Sequence, residues 1–507
     1  MNPKDATAHP LGGDTIARNT GFALAAQAIT AVLTAGLTIF LVRALSPHSY
    51  GLFALALAVG ALVLQPSDFG LSQSAGRFIA EHRGDRGAVA AILSDALRLK
   101  LIAGLLVAAA LIALAHPIAS AYGEPDLTWP LRATAIAVFA QGLMTFWGTA
   151  FISLRRVSLN LRVVSSESLA ETGTTVVLVL AAGGATAAAL GRTIGYATGA
   201  VIALLLTLRL VGGDAVAPLG RAKGHLRPIA GYAGALLIID GAVTAFAQID
   251  ALVIGGVLSA TSVAIFQAPY RLTTALAYPG LALATGVAPR LSFSGEPPDA
   301  RSLQASLRFL IVFQTALVVP ILVWAKPAAD LVLGSDYSDS AHVLRALAPY
   351  VFAAGFAPLL TLGVNYLGEA RRRVPIAIVL VLLNLGIDLL LIPRIGVVGG
   401  AVGTDVAFVL YVAAHLWIAD RLVEVRLRAL LPTLLRAALA GGVAAGVLAL
   451  LGTSSLSAGQ WIAGAILAPA TFLAVILATR ELSAEEMGRA RQAVAAARGR
   501  LRRGPGP

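Results

Sequence analysis

The chain has 507 residues, 58% of them hydrophobic and 13% charged. Soluble domains run near about 45–50% apolar and about 25% charged, so this composition excludes a water-soluble globule; the absence of cysteine excludes disulfides and thiolate metal ligands. The formal net charge of +12 would suit nucleic acid, but the basic residues fall between apolar runs, where they serve membrane topology and anionic headgroups.

The apolar runs are about 20 residues long, the length of a membrane-crossing helix. Fourteen are expected, at 21–44, 49–70, 99–116, 131–152, 163–183, 187–208, 229–256, 261–288, 306–325, 344–366, 374–393, 397–418, 432–452 and 457–479. Lipid offers the backbone no hydrogen-bond partners, so the spans are helices. A transmembrane barrel would need alternating strands of about ten residues, and the sequence has no such pattern. The polar stretch 1–20 and the length of the first run argue against a cleavable signal peptide. The expected fold class is therefore all-α integral membrane, with 14 transmembrane helices.

With the N-terminus in the cytoplasm, most of the 38 Lys and Arg fall on inner segments. Arg43, Arg132, Lys326, Arg345 and Arg394 sit at outer ends, and Arg192 and Arg271 within spans. This bias places both termini in the cytoplasm.

The chain also repeats itself. LSPHSYGLF (45–53) matches LSATSVAIF (258–266) at an offset of 213, and Pro66 then maps to Pro279 and Arg77 to Arg290. LRLK (97–100) maps to LRFL (307–310) at 210, and GATAAALG (184–191) to GVVGGAVG (396–403) at 212. Small offset changes fall in loops, where insertions are tolerated. The repeat covers six spans, an even number, so both copies share one orientation and form a parallel repeat. The expected organisation is a cytoplasmic N-terminus (1–20), a six-helix bundle (21–212), a linker (213–228), a second bundle (229–420), two further helices (432–479) and a basic cytoplasmic tail (480–507). A cleft between two rocking bundles is the architecture of a carrier.

Four stretches carry a family resemblance. RALSPHSYGLFALA (43–56) looks like a first periplasmic turn of Arg-x-Leu-x-Pro-x-x-Tyr-Gly type, and DFGLSQSAGRFIAEHR (68–83) like an Asp-x-Gly…Arg helix end. AQIDALVIGGVLSATSVAIFQAPYRL (247–272) resembles a helix 7–8 hairpin with Asp250, Tyr270 and Arg271 in familiar places, although Ala264 stands where Gly is usual. Residues 365–404 resemble helices 10–12, including Asn384, Pro393, Gly396 and Gly400. Together these resemble the polysaccharide-transporter branch of the multidrug/oligosaccharidyl-lipid/polysaccharide flippase superfamily. That resemblance implies a flippase of the inner membrane, moving undecaprenyl-diphosphate-linked oligosaccharide to the periplasmic leaflet for O-antigen or exopolysaccharide assembly. It brings a polysaccharide polymerase and chain-length machinery as partners beside membrane lipids, and no cofactor. Sister branches move peptidoglycan precursor or cationic drugs on the same fold, and fold does not fix function.

Polar residues inside spans are the candidate site. Span 1 carries Asn19, Gln27, Thr30 and Thr34 within about a quarter turn; they either meet sugar hydroxyls or bond neighbouring helices. Arg18 and Arg77, near the cytoplasmic entrance, meet either the diphosphate or headgroups. Asp240, Thr244 and Gln248 share one face of span 7, and Asp240 is the repeat mate of Gln27. Arg271, whose mate is Ala58, is the sharpest candidate, because a guanidinium grips phosphate oxygens bidentately; the other reading is an ion pair with Asp250. Asn384 is a further cleft candidate. Glu167 and Glu171 with Arg192, and Asp250, Asp388 and Asp405, are candidates for ion coupling or structural pairs. Gly399-x-x-x-Gly403 and Gly442-x-x-x-Gly446 read as close-packing signals, and Ser483…Glu486 as a capping box opening a surface helix.

No nucleotide-binding loop and no metal-spaced His pair occurs, so neither an ATPase nor a metal site is expected. A membrane glycosyltransferase or polymerase would need catalytic groups on a sizeable outer loop, and the loops are short. An ion-coupled drug antiporter or a peptidoglycan-precursor flippase stays open beside the glycan flippase.

Overall fold

The computed structural model describes residues 16–217, 226–291 and 299–481; Lys4, Lys223 and the Ser483…Glu486 box lie outside them. The described chain is helical: α1 (Ile16–Ala44), α2 (Pro47–Asp68), α3 (Leu71–Glu81), α4 (Arg86–Ala121), α5 (Thr128–Ser153), α6 (Val157–Ala182), α7 (Gly184–Leu210), α8 (Leu226–Val257), α9 (Ala260–Thr273), α10 (Tyr278–Val287), α11 (Ala300–Val332), α12 (Ser340–Ala346), α13 (Ala348–Ala354), α14 (Ala357–Tyr366), α15 (Arg373–Ile395), α16 (Val397–Val423), α17 (Leu431–Leu451) and α18 (Ala458–Ala478). Short 3₁₀ turns join several of them.

The repeated LS-x-x-S motif has a local job. Ser46 caps α2 by accepting from the Ser49 amide at 3.2 Å, and Ser259 caps α9 by accepting from the Ser262 amide at 3.2 Å. Each satisfies an amide that the first turn leaves unpaired.

Among the described residues, 13 helical stretches are long and apolar enough to cross a membrane. The eighth expected span, 261–288, is interrupted. α9 ends at Thr273, a 3₁₀ turn covers Thr274–Ala277, and α10 begins with Pro279 in its first turn, where a missing amide costs nothing. Its repeat mate Pro66 lies in the last turn of α2, just before Phe69 and Gly70 take left-handed conformations (φ 48° and 68°) and α3 begins. The tenth expected span, 344–366, is also broken, between α13 and α14. A Cβ on Gly355 there would fall 1.5 Å from Gln314 Nε2, so any larger residue would have to displace that side chain. α11 kinks at Trp324 (φ −101°, ψ 21°), between Pro320 and Pro327, as a ring that clashes with the preceding turn requires.

The chain forms two compact units. The first holds residues 1–275, 329–347 and 371–411. Its core gathers Ile79, Ile92, Leu93, Phe146, Trp147 and Phe151. α4 is 36 residues long, about 54 Å against about 30 Å of hydrocarbon; its first three turns add Val89, Ile92, Leu93 and Ala96 to that core. α6 and α7 approach through Gly191, Gly195 and Gly199, where a Cβ would lie 2.2 Å from Thr175, 2.5 Å from Glu171 and 2.9 Å from Glu167 atoms, and Gly199 also meets Met144 of α5 at 2.4 Å. Gly399 and Gly403 set α16 equally tight on α15, a Cβ on Gly403 lying 2.1 Å from Asp388 Oδ1. Arg43 donates through Nε to the Val332 carbonyl at 3.1 Å and through Nη2 to the Leu331 carbonyl, closing the end of α11.

The second unit holds residues 276–328, 348–370 and 412–507. One cluster packs Leu303, Leu307, Leu310, Phe356 and Leu359; another packs Trp324, Leu448, Phe472 and Ile476. Gly442 and Gly446 have nothing within 4 Å of a built Cβ, so they are not the close-packing pair expected. That role falls to Gly441, 3.0 Å from Thr315, one residue round the helix and so on another face. Just past α18, Glu481 (1% exposed) accepts from Arg308 Nε at 2.5 Å, Thr433 Oγ1 at 2.6 Å and Arg436 Nη1 at 2.8 Å.

Candidate functional site: a charged cleft walled by α2–α5 and α8

The first unit encloses a cleft of about 460 Å³. α2 contributes Leu64, Gln65 and Asp68; α3 Gln73; α4 Lys100; α5 Gly142 and Thr145; α8 Asp240 and Thr244; and α15 Arg373 at its first residue. The size suits a small polar ligand or headgroup, since binding pockets run about 300–1,000 Å³.

Its electrostatics are built from pairs. Lys100, 2% exposed, is ion-paired with Asp68, which also accepts from Ser72 Oγ at 2.5 Å. Burying an ammonium is tolerated only with such a partner. Gly142 leaves the room, because a Cβ there would sit 3.2 Å from Lys100 Nζ and Cε. Asp240 accepts from Gln73 Nε2 at 2.9 Å, and Gln65 Nε2 donates to Thr244 Oγ1 at 2.8 Å. Two cations, two carboxylates and several amide and hydroxyl groups thus face one space. The cations suit phosphate oxygens, and the neutral groups suit sugar hydroxyls.

Of the expected site residues, Asp240 lines this cleft. Arg271 lies elsewhere, half-buried on α9 and near enough to the Tyr50 hydroxyl to act on it electrostatically. Asp250 is not Arg271's partner. Its oxygens accept from Asn384 Nδ2 at 3.0 Å and Thr404 Oγ1 at 2.8 Å, and Asn384 Nδ2 also donates to Asp388 Oδ2 at 2.7 Å. The reason is azimuth: the Asp250 face of α8 lies on α15, whereas Arg271 turns toward α2. Asp250, Asn384 and Asp388 are fully buried, while the Asn384 Oδ1 and Asp388 Oδ1 acceptors have no hydrogen-bond partner. Asp405, on α16, is 9% exposed.

Arg192 reaches Glu171 at 2.6 Å and the Tyr196 hydroxyl at 2.7 Å, and Glu167 accepts from Ser168 Oγ at 2.9 Å. Gln27 is exposed on α1. Arg18 lies 5.3 Å over the Phe22 ring, and Arg77 pairs with Glu81 at 3.0 Å on the surface of α3.

Sequence reasoning used Lys100 and Arg373 only for topology. A signal for Lys100 was present: its repeat mate is Leu310, so symmetry does not require its charge, the same argument that singled out Arg271.

Fold and cleft define a multi-pass α-helical membrane protein. The solved structure of "Lipid II flippase MurJ, inward closed conformation" superposes with a TM-score of 0.74 at 14% identity, covering 91% of this chain and 99% of that one. The inward-facing structure of a multidrug resistance MATE family transporter of the MOP superfamily follows at 0.63 and 15%, covering 80% and 99%. In sequence, the "Probable low-salt glycan biosynthesis flippase Agl15" of Haloferax volcanii is 23% identical over 174 residues, 34% of this chain. The match takes in 37% of that relative's length. The polysaccharide biosynthesis protein family matches residues 16–292, more than half the chain, and the chain belongs to it.

Proposed function

We propose that the protein is a glycan flippase that carries a polyprenyl-diphosphate-linked oligosaccharide, undecaprenyl-linked in bacteria, across the cytoplasmic membrane by alternating access. The family membership and the fold support the class. The observation that carries the substrate is a buried ammonium, Lys100, that lines with Arg373 a cleft also presenting amides and hydroxyls. Lys100 and Arg373 hold diphosphate oxygens, Asp240, Gln73, Gln65 and Thr244 hold hydroxyls, and the polyprenyl tail stays in lipid. Arg18 and Arg77 meet the headgroup at the cytoplasmic mouth, while Arg271 and Gln27 act later on its path. The halves 21–212 and 229–420 rock to alternate access, with both termini cytoplasmic and a polymerase and chain-length machinery downstream. Asp250, Asn384, Asp388 and Thr404 form the coupling centre. The buried, unpartnered Oδ1 atoms of Asn384 and Asp388 fit a cation, either a proton on the carboxyl pair or a small alkali ion among the four side chains.

The test is Lys100→Met and Arg373→Ala in cells, with membrane levels measured. Each should cut export at least tenfold while lipid-linked oligosaccharide accumulates in the cytoplasmic leaflet. Normal export by both variants would sink the reading; loss of oligosaccharide assembly in a deletion strain would favour an enzyme. Drug sensitivity with unchanged surface glycan would favour the antiporter.

A further inference from the structure

The helices that wall the charged cleft carry a second cavity at their other ends. Cleft residue Asp68 closes α2, and His48 opens it. Twenty residues of helix separate them, about 30 Å. α4 likewise runs from Lys100 in the cleft to His116 in the second cavity, and α5 from Gly142 back to Trp129 and Arg132. The second cavity has a volume of about 600 Å³, again within the range of ligand sites.

Its lining is unlike a lipid-facing surface. Trp129 is 62% exposed at the head of α5. The Arg132 guanidinium stacks 4.8 Å from the centre of its ring. Arg132 Nε is buried without a hydrogen-bond partner, a costly state unless something fills it. His48 already faces Glu124 at 3.6 Å, whereas His116 and Asp126 stand open on the rim.

We propose that this cavity is a second glycan station, selective for acidic sugars, about 15–30 Å along the same helices from the diphosphate cleft. The indole takes the C–H face of a sugar ring, because its apolar body prefers a flat apolar partner. The Arg132 edge takes the sugar's carboxylate, since a guanidinium binds a carboxylate bidentately and no described acid does so here. Asp126 and the imidazoles accept and donate to ring hydroxyls. The inference rests on the glycan reading of the protein and adds where, and by what chemistry, the sugars leave.

The experiment uses the full chain in phosphatidylcholine nanodiscs, so that no anionic headgroup competes. Titration calorimetry compares a hyaluronan tetrasaccharide, which carries glucuronate, with neutral chitotetraose and with inorganic phosphate. The acidic tetrasaccharide should bind saturably and at least tenfold more tightly than the neutral one. Arg132→Ala should erase that preference, Arg132→Lys should keep part of it, and Trp129→Ala should weaken both sugars. Equal binding of both sugars, binding of phosphate alone, or affinities unmoved by both Arg132→Ala and Trp129→Ala would overturn the station. A thermal midpoint matching the parent's shows that each variant is folded. If the protein exports glycan but binds no acidic sugar, only this inference fails; if it exports no lipid-linked glycan at all, the functional reading fails first.

Discussion

Single side chains decide the cleft. Gly142→Ala puts a methyl group 3.2 Å from the Lys100 ammonium, which must give by a few tenths of an ångström in its pairing with Asp68. Export should fall severalfold with little loss of thermal stability, which an export assay paired with a melting curve checks. Glu481 gives a pH prediction. Burial pushes its carboxyl up, but the bonds from Thr433, Arg308 and Arg436 outweigh this and hold it below the usual carboxylate range. A depressed carboxyl stabilises the fold above the unfolded value and loses that contribution as pH falls through the folded one. Glu481→Gln should therefore cost about 2 kcal/mol near neutral pH, and the gap from the parent should close as pH drops below about 4; melting curves across that range test it. At this scale the sequence was half legible. Asp240 was visible because a lone acid in an apolar span demands a polar surrounding. An ion pair of Arg271 with Asp250 was one of two open readings, because position along a span says nothing about which way round the helix a side chain points. The Lys100–Asp68 pair joins the end of one helix to the early turns of another, a meeting that only tertiary packing reveals.

Helices follow their glycines and prolines. Gly195→Ala sets a methyl 2.5 Å from Glu171 Cβ and 2.8 Å from its Cα, so α6 and α7 must part; overpacking of this kind costs about 1–3 kcal/mol. Gly446→Ala meets open space and should gain up to about 1 kcal/mol from helix propensity. Comparing the two melting curves separates glycines that pack from glycines that merely occur. Hydropathy located the spans well, because their length is fixed by the bilayer. It could not show that Pro279 opens a new helix after a 3₁₀ turn, or that Gly355 breaks the 344–366 span against Gln314, since an apolar window averages across such interruptions. The Gly-x-x-x-Gly pattern located Gly399 and Gly403 correctly and Gly442 wrongly: the spacing names a face but not whether a neighbour covers it.

For the whole molecule, membrane class was plain from composition, while the meeting of Asp250 and Asp388 with Asn384 and Thr404 was not. The Asp250–Asn384–Asp388–Thr404 cluster assembles from three helices spread over 154 residues, and no local spacing announces it. Asp388→Asn should abolish any acceleration of export by a proton or sodium gradient in proteoliposomes, leaving a slow, gradient-independent rate; undiminished acceleration would remove the cluster from the mechanism. The cations expected at outer ends carry a further consequence. Arg43 is committed to the closing carbonyls of α11, Arg394 donates to the Leu390 carbonyl at 2.5 Å, and Arg132 lies on an indole. A guanidinium bound to a helix's negative end is partly neutralised before any lipid sees it. The membrane therefore meets a steeper voltage-like asymmetry than a tally of letters gives, and insertion should hold its direction even if a stray lysine is added on the far side.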